Sequence, residues 1–334
     1  MSLLSPSFDL LDTTKKHMPQ KVAVAWSGGA DSTALLCFLK SKGYAIQAWH
    51  INHGWFASSA AQAETLAAQA HAWNIPFYSK TLVKPKQNIE AESRQLRYAA
   101  FVQIAEETQC FHLALGHHLQ DQAETVCMRL LQGAGVAGCQ GMKSFRQHES
   151  LFLHRPFLHI DKAQMYQYLK AQHIGWLEDP SNQDYTIWRN KIRHQLFPHM
   201  QRVGKDPVAL FMRYQKQAQK VQNSIAQLAQ TCVVTLNNNS QSSYCSVDWQ
   251  QWSAQSSSVR VYLLQKMIGI LFADGKVFGR RHFQAIAQWQ EHGSHGWVSL
   301  SGCHLQKHEE KLKLFKGNKG LNHMKAKQIE VNNE

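Results

Sequence analysis

The sequence predicts an α/β protein in which a doubly wound parallel sheet is followed by a linker helix and a smaller α+β domain. Three observations carry that prediction. From Lys21 onward, short apolar runs rich in β-branched residues alternate with stretches whose apolar residues recur every three or four positions, the pattern of a parallel sheet covered on both faces. The first such run passes directly into a glycine-rich turn, Ser27-Gly28-Gly29-Ala30-Asp31-Ser32, and then into an apolar helix. Past Thr231 the pattern changes to short strands between Ser-, Asn- and Gln-rich loops.

Taken in order, residues 22–26 predict a strand, 27–32 a turn and 33–39 a helix. A second buried strand covers 45–51 and ends near His50, Asn52 and His53. The helix expected at 59–73 carries Ala63, Leu66, Ala67, Ala70 and Trp73 on one stripe. Strand 75–82, helix 90–109, strand 111–116 and helix 121–132 follow. Residues 131–142 hold four glycines with little to pack, and predict a mobile loop over the carboxyl ends of the strands. A strand at 151–156, a helix at 161–174 starting on an Asp cap and a helix at 184–198 come next. Asp206-Pro207 then opens a long amphipathic helix through Leu210, Tyr214, Val221, Ile225 and Leu228. Two helices, 259–272 and 279–292, and short strands at 296–314 complete the second part. The expected divisions are an N-terminal extension (1–20), a nucleotide-binding catalytic domain (21–204), a linker helix (205–230), a substrate-binding α+β domain (231–316) and a basic tail (317–334).

At 334 residues, with 44% hydrophobic and 18% charged residues, the chain is that of a globular protein rather than a disordered one. No basic-then-apolar leader opens it and no apolar run reaches membrane length, which predicts a cytoplasmic protein. Its seven cysteines are scattered without a C-x-x-C pair, so they read as core thiols rather than a disulfide, zinc or iron–sulfur framework. The net charge of +13 is uneven, with +4 over residues 1–200 and +9 over 201–334. Such a basic second part suits a polyanionic partner, nucleic acid above all.

The chemistry concentrates in four segments. A helix opening straight after Ser27–Ser32 aims unpaired N–H groups and its positive dipole end beyond the strand, a seat for phosphate. Neither the Walker-type ending nor the G-x-G-x-x-G fingerprint is present. In 88–101, Glu90, Arg94, Arg97 and Phe101 share one helical stripe; Glu90–Arg94 reads as a surface pair of small value, while Arg97 has no such partner. In 116–125, His117 falls at a strand end and Asp121, Glu124 and Thr125 lie opposite the apolar stripe of the next helix. In 178–198, Arg189 and Arg193 share a basic face and Trp188, Ile192 and Leu196 an apolar one.

The turn resembles the SGGxDS motif of the PP-loop ATP pyrophosphatases, which cleave ATP between its α and β phosphates. Together with HINHG (50–54), EAESRQLRY (90–98), GHHLQDQAET (116–125), MRLLQGAGVAGCQGM (128–142), RPFL (155–158) and EDPSNQDYTIWRNKIRHQLFP (178–198), the chain is similar to the tRNA(Ile)-lysidine synthetases over most of its first 200 residues. The resemblance implies an adenine nucleotide alpha hydrolase-like fold and a ligase acting on the wobble cytidine of the isoleucine tRNA with a CAU anticodon. ATP adenylates its C2 oxygen, free L-lysine then displaces AMP, and Mg²⁺ accompanies the nucleotide.

On that resemblance Ser27, Gly28, Gly29, Ala30 and Ser32 cradle the pyrophosphate with His53 nearby. Asp31 holds Mg²⁺, and Arg97 and His117 stabilise charge at the α-phosphate. Asp121 with Glu124 binds the lysine ammonium and helps it lose a proton. Arg94, Arg189 and Arg193 contact RNA phosphate or the reacting nucleotide. Three departures stand out: Trp55-Phe56 where the family has Leu-Arg, Gln120 in place of Asp, and Gln132 in place of Arg. Longer members carry a further C-terminal domain, whereas here one module and a tail follow residue 205. A PP-loop tRNA thiolase, an amide-forming PP-loop ligase and a tRNA-binding protein with an inactive ATP site are the competing readings. The thiolase needs a catalytic cysteine, for which Cys139 is the loop candidate. Whether the chain forms a homodimer is left open.

Overall fold

The computed structural model describes residues 17–54, 59–83, 85, 89–178, 187–238, 243–272, 280–291, 296–300, 302–317 and 328–329. Residues 1–16 of the expected extension (1–20), Trp55-Phe56 and the segment 179–186 lie outside the described residues, as do most of the tail and the side chain of Glu90. The chain divides into two compact units between Gln219 and Lys220, within a long helix.

The first unit is built on β1 (Lys21–Ala25), β2 (Ala45–Asn52), β3 (Phe77–Thr81), β4 (His112–Ala114), β5 (Phe145–His148) and β6 (Leu151–His154). They form one sheet in the order β3-β2-β1-β4-β6-β5, parallel throughout except for the antiparallel β5–β6 hairpin. Val24 pairs with Ala48 on one side and Ala114 on the other, so β1 and β4 flank the point where strand order reverses. In a doubly wound sheet, ligands bind outside the carboxyl ends of the strands at this switch point. β1 buries both faces, with Val22 and Val24 in one core and Ala23 in the other, as its continuous apolar run requires.

α1 (Ala30–Ser41) places Leu35, Leu36 and Leu39 fully inside the first core, each contributing on the order of 2 kcal/mol of transfer free energy. The helix begins three residues earlier than its apolar run suggests, so Ala30, Asp31 and Ser32 already form its first turn. α2 (Ser59–Ala72) packs Leu66 and Ala70 into the same core, and α3 (Ile89–Thr108) brings Tyr98, Phe101 and Ile104 to the opposite face. α4 (Leu119–Leu131) follows β4, and α5 (Lys162–Ala171) starts on Asp161, whose Oδ1 accepts from the Ala163 N–H at 2.8 Å.

The sheet holds one strand beyond those expected, β5, and the expected loop at 131–142 is corrected. The β5–β6 hairpin, turning at Glu149 with φ 52°, has no signal in the polar alternation of Phe145–His148. The glycine-rich stretch 131–142 is anchored rather than loose. A 3-10 turn at Val136–Gln140 buries Cys139, and Gln122 clasps Met142 from both sides. The Gln122 Nε2 donates to the Met142 carbonyl at 2.8 Å, and the Met142 N–H donates back at 2.6 Å.

Of the helix expected at 184–198, residues 184–186 lie outside the described residues; the described helix runs over residues 188–202. It comprises α6 (Trp188–Lys191), five residues in π geometry (Ile192–Leu196) and α7 (Phe197–Arg202), with Pro198 inside it. Widening to the π form relieves the clash of a proline ring with the preceding turn, so the helix passes Pro198 unbroken. α8 (Pro207–Leu228) is capped by Asp206, whose Oδ1 accepts from the Val208 and Ala209 N–H groups at 2.9 and 3.1 Å.

The second unit has a sheet of β7 (Thr235–Asn238), β8 (Ser243–Asp248), β9 (Trp297–Leu300), β10 (Cys303–His308), β11 (Lys311–Lys316) and β12 (Gln328–Ile329), in the order β12-β9-β10-β11-β8-β7. All pairs are antiparallel but β12 with β9. α9 (Trp249–Ser253), α10 (Ser257–Leu271) and α11 (Arg280–Glu291) complete it, with a core around Trp252, Leu263, Met267 and Trp289.

Candidate active site

The turn after β1 is held by its own side chains. The Ser27 N–H donates to Ser32 Oγ at 3.2 Å, the Gly29 N–H to Ser27 Oγ at 3.3 Å, and the Ser32 hydroxyl to the Gly29 carbonyl at 3.0 Å. Trp26 Nε1 donates to Thr33 Oγ1 at 3.0 Å, tying the strand end to the helix. Gly28 sits at φ 84°, where a Cβ would meet Leu66 and Leu177 within 2.9 Å. Glycine is needed there for conformation and for space. No side chain caps the N-terminus of α1, so its first N–H groups remain as anion donors.

β4 delivers the facing wall. Gly116 follows it so closely that a Cβ would stand 3.1 Å from the backbone of Asp31 and Ser32. His117 and His118 come next, and then α4. Between the two walls lies a cavity of about 280 Å³. Seven of the expected residues line it: Ser27, Asp31, Ser32, His53, Arg97, His117 and Asp121. Gly28, Gly29 and Ala30 belong to the same turn without lining it. Arg94 is exposed and stacks 5.1 Å over the Tyr98 ring, outside the cavity.

Charge in the cavity is unevenly matched. Arg97 is mostly buried, burial disfavours its charge, and among the described residues no carboxylate pairs with it. One oxygen of Asp31, Oδ1, is buried without a hydrogen-bond partner, while Oδ2 lies 3.6 Å from His118 Nε2. His118 is 2% exposed and its Nε2 also lies 3.5 Å from Asp121 Oδ2. Burial alone would lower its pKa, but the nearby carboxylates of Asp31 and Asp121 raise it. Its neighbour His117 goes the other way. Burial, with Arg155, Arg189 and Arg97 nearby, takes it down to about 3 against the pull of Asp121, so it is a neutral imidazole.

Glu124, Arg189 and Arg193 form the layer behind. Glu124 is 1% exposed and receives Arg189 Nε at 2.8 Å and Arg193 Nε at 2.7 Å. Arg193 also reaches Asp121 Oδ1 at 3.0 Å, and Arg189 Nη2 donates to the Asp121 carbonyl at 3.1 Å. Burial would raise the pKa of Asp121, but His118 and Arg189, with the hydrogen bond from the His118 N–H, hold it below the usual carboxylate range. The two arginines read as RNA contacts therefore brace the two carboxylates read as lysine ligands, and α4 is locked to the helix that carries Arg189 and Arg193.

Two of the departures from the family pattern, Gln120 and Gln132, lie among the described residues. Gln120 donates to Asp161 Oδ2 at 2.7 Å and accepts from the Lys162 N–H at 3.1 Å, joining α4 to the start of α5. Gln132 is the exposed C-cap residue of α4. No cysteine lines the cavity; burial pushes the Cys37 and Cys127 thiols up to about 11 and raises Cys139 as well. His118 and Arg155 were not legible as site residues. The first follows a histidine that already explained the motif, and the second lies in RPFL, where no spacing links it to residue 117.

Mg²⁺ fits the site as an ion that arrives with phosphates. It takes one or two carboxylates beside phosphate oxygens, and the orphaned Asp31 Oδ1 is such a ligand. Among the described residues no cluster of three or more His, Cys, Asp or Glu is arranged to hold a metal by itself.

A family model described as the PP-loop domain matches residues 7–200. The tRNA(Ile)-lysidine synthase of Chlamydia pneumoniae is 36% identical over 203 residues, 60% of this chain and 62% of that protein. That of Chlamydia caviae is 35% identical over 208 residues, 61% and 64% of the two chains. The chain thus spans less than two thirds of the length of these curated relatives. Among solved structures, the U34-tRNA thiolase NcsA from Methanococcus maripaludis with its 4Fe–4S cluster aligns with TM-score 0.48 and 17% identity, covering 60% of this chain and 72% of that one.

Proposed function

This chain belongs to the PP-loop domain family, and from that premise we propose that it is an ATP-dependent ligase that converts the wobble cytidine of the CAU-anticodon isoleucine tRNA to lysidine, in the cytoplasm. The observation that carries the proposal is the surplus of positive and N–H donors in one cavity. Arg97 without a carboxylate, the uncapped start of α1 and the neutral imidazole of His117 all converge where a triphosphate would lie. Such preorganised donors stabilise charge that develops at a phosphate.

In the first step the cytidine C2 oxygen attacks the α-phosphorus and the bond to pyrophosphate breaks. The α1 N-terminus holds the departing phosphates, while Arg97 and the His117 N–H meet the charge building on the α-phosphate oxygens. When bound, Mg²⁺ on Asp31 supplies further charge neutralisation. In the second step the ε-ammonium of lysine passes a proton to the Asp121 carboxylate, the freed amine attacks C2, the bond from C2 to the AMP oxygen breaks, and the proton remaining on the attacking nitrogen goes to solvent. Asp121, kept ionised by its cationic neighbours, draws in and orients the ammonium-bearing chain, and Glu124 with the two arginines fixes Asp121 in place. An unpaired cytidine can be splayed into the cavity at small unstacking cost. The high thiol pKa values and the absence of cysteine from the cavity lining favour this reading over a thiolase.

The decisive measurement is transfer of labelled lysine to a transcript of that tRNA, with AMP and pyrophosphate released in step. Lysine transfer dependent on ATP and on the CAU anticodon is expected. Folded protein that binds ATP yet transfers no lysine would end the assignment.

A further inference from the structure

We propose that Arg155 is a positioning residue that holds His117 as a neutral imidazole with its proton on Nε2, making it a hydrogen-bond donor to the substrate rather than a base. Arg155 follows β6 and is 4% exposed. Its N–H donates to the Ser144 carbonyl at 2.8 Å and its Nη1 to the Lys143 carbonyl at 2.8 Å, which seats the side chain against the β5 end of the sheet. Its Nε reaches His117 Nδ1 at 3.2 Å.

Guanidinium has donors and no acceptor, so the ring nitrogen it meets must present a lone pair. With Nδ1 accepting, the single proton of a neutral imidazole is on Nε2. Adding a second proton to Nδ1 would break that bond and set a cation beside Arg155, with Arg189 and Arg97 also near. Asp121 is the group that pulls the other way. Arg155, like Arg97, has no carboxylate partner among the described residues. A buried cation without a counter-ion is costly, and the side chains that meet its charge are the Tyr98 hydroxyl and the His117 imidazole, of which only the imidazole has a proton to place between two ring nitrogens.

The arrangement inverts the familiar carboxylate–histidine pair. There an acceptor on Nδ1 frees Nε2 to take a proton; here a donor on Nδ1 makes Nε2 give a hydrogen bond. The catalytic half of this inference rests on the proposed ATP chemistry, whereas the tautomer does not.

The test is a long-range proton–nitrogen spectrum of the full chain labelled at histidine nitrogens, with His117 assigned by its loss in His117→Asn. Wild-type protein is expected to show a lone-pair Nδ1 and a protonated Nε2, unchanged between about pH 5 and about pH 8. A protonated Nδ1 would overturn the proposal without touching the ligase assignment. Arg155→Met is expected to mix the tautomers and lower kcat for pyrophosphate release about 10- to 100-fold, with KM for ATP held within about threefold. Arg155→Lys, which keeps a donor and a charge, is expected to recover part of both signals. If Arg155→Met folds and leaves the His117 spectrum as in wild type, Arg155 does not set the tautomer. If it does not fold, the wild-type spectrum and the lysine variant decide.

Discussion

At Arg97 a cation without a carboxylate partner separates stability from function. Its guanidinium is mostly buried, has no carboxylate partner among the described residues and lines the cavity. Replacing such a charge with an apolar side chain of similar reach tends to stabilise a fold, while removing a donor from an oxyanion site costs rate. Arg97→Met is therefore expected to keep or raise the melting temperature and to lower kcat for pyrophosphate release by roughly 10²- to 10³-fold. Calorimetry beside a single-turnover assay checks both signs. A variant that melts earlier and loses activity only in proportion would mean that Arg97 serves structure. At this scale the sequence was most legible, since the residues that meet in the cavity were picked out by their motifs. The sequence was silent where two residues act through each other across 38 positions, as Arg155 and His117 do.

Among elements, the joint between α4 and the helix carrying Arg189 and Arg193 decides how rigidly Asp121 is presented. Four side chains make it: two carboxylates on α4 and two guanidiniums spaced four residues apart on its partner. Glu124 is almost fully buried, so Glu124→Gln leaves two arginines facing one carboxylate. Breaking a buried pair in this way costs about 3 kcal/mol. The expected result is a lower denaturation midpoint with KM for lysine raised more than KM for ATP. An unchanged midpoint would show that solvent already screens the joint. Helix existence followed from apolar periodicity, but this pairing did not. A basic face and an acidic face read separately as surfaces for ligands; the structure turns them toward each other. The glycine-rich 131–142 stretch misled in the same way, because its anchor is Gln122, a polar residue on another element whose reach no periodicity records.

Across the whole molecule, charge and site are distributed differently. The cavity belongs to the first unit, whereas residues 201–334 carry +9 of the net +13. If this basic part grips RNA phosphate, binding of the tRNA releases counterions and weakens with salt, while small substrates respond little. Affinity for the tRNA is expected to drop at least roughly tenfold between about 50 and about 200 mM salt, with affinity for ATP nearly constant. Filter binding against equilibrium dialysis measures the two. A flat salt response for tRNA would move recognition away from these charges. The doubly wound parallel sheet was readable from the strand–helix alternation, the apolar β6 included; β5 at its edge was not, because that strand is specified by pairing rather than by apolar content.

Gly116 carries a final consequence. Because a Cβ at this position would stand only 3.1 Å from the backbone of Asp31 and Ser32, glycine lets the chain after β4 rest against that backbone, and the bore of the cavity is gauged by main chain against main chain. Side chains around it can then be exchanged without altering that gauge. The scaffold is in this sense a fixed die: its chemistry can be recut residue by residue, while a methyl group at position 116 alone would change the calibre of every version.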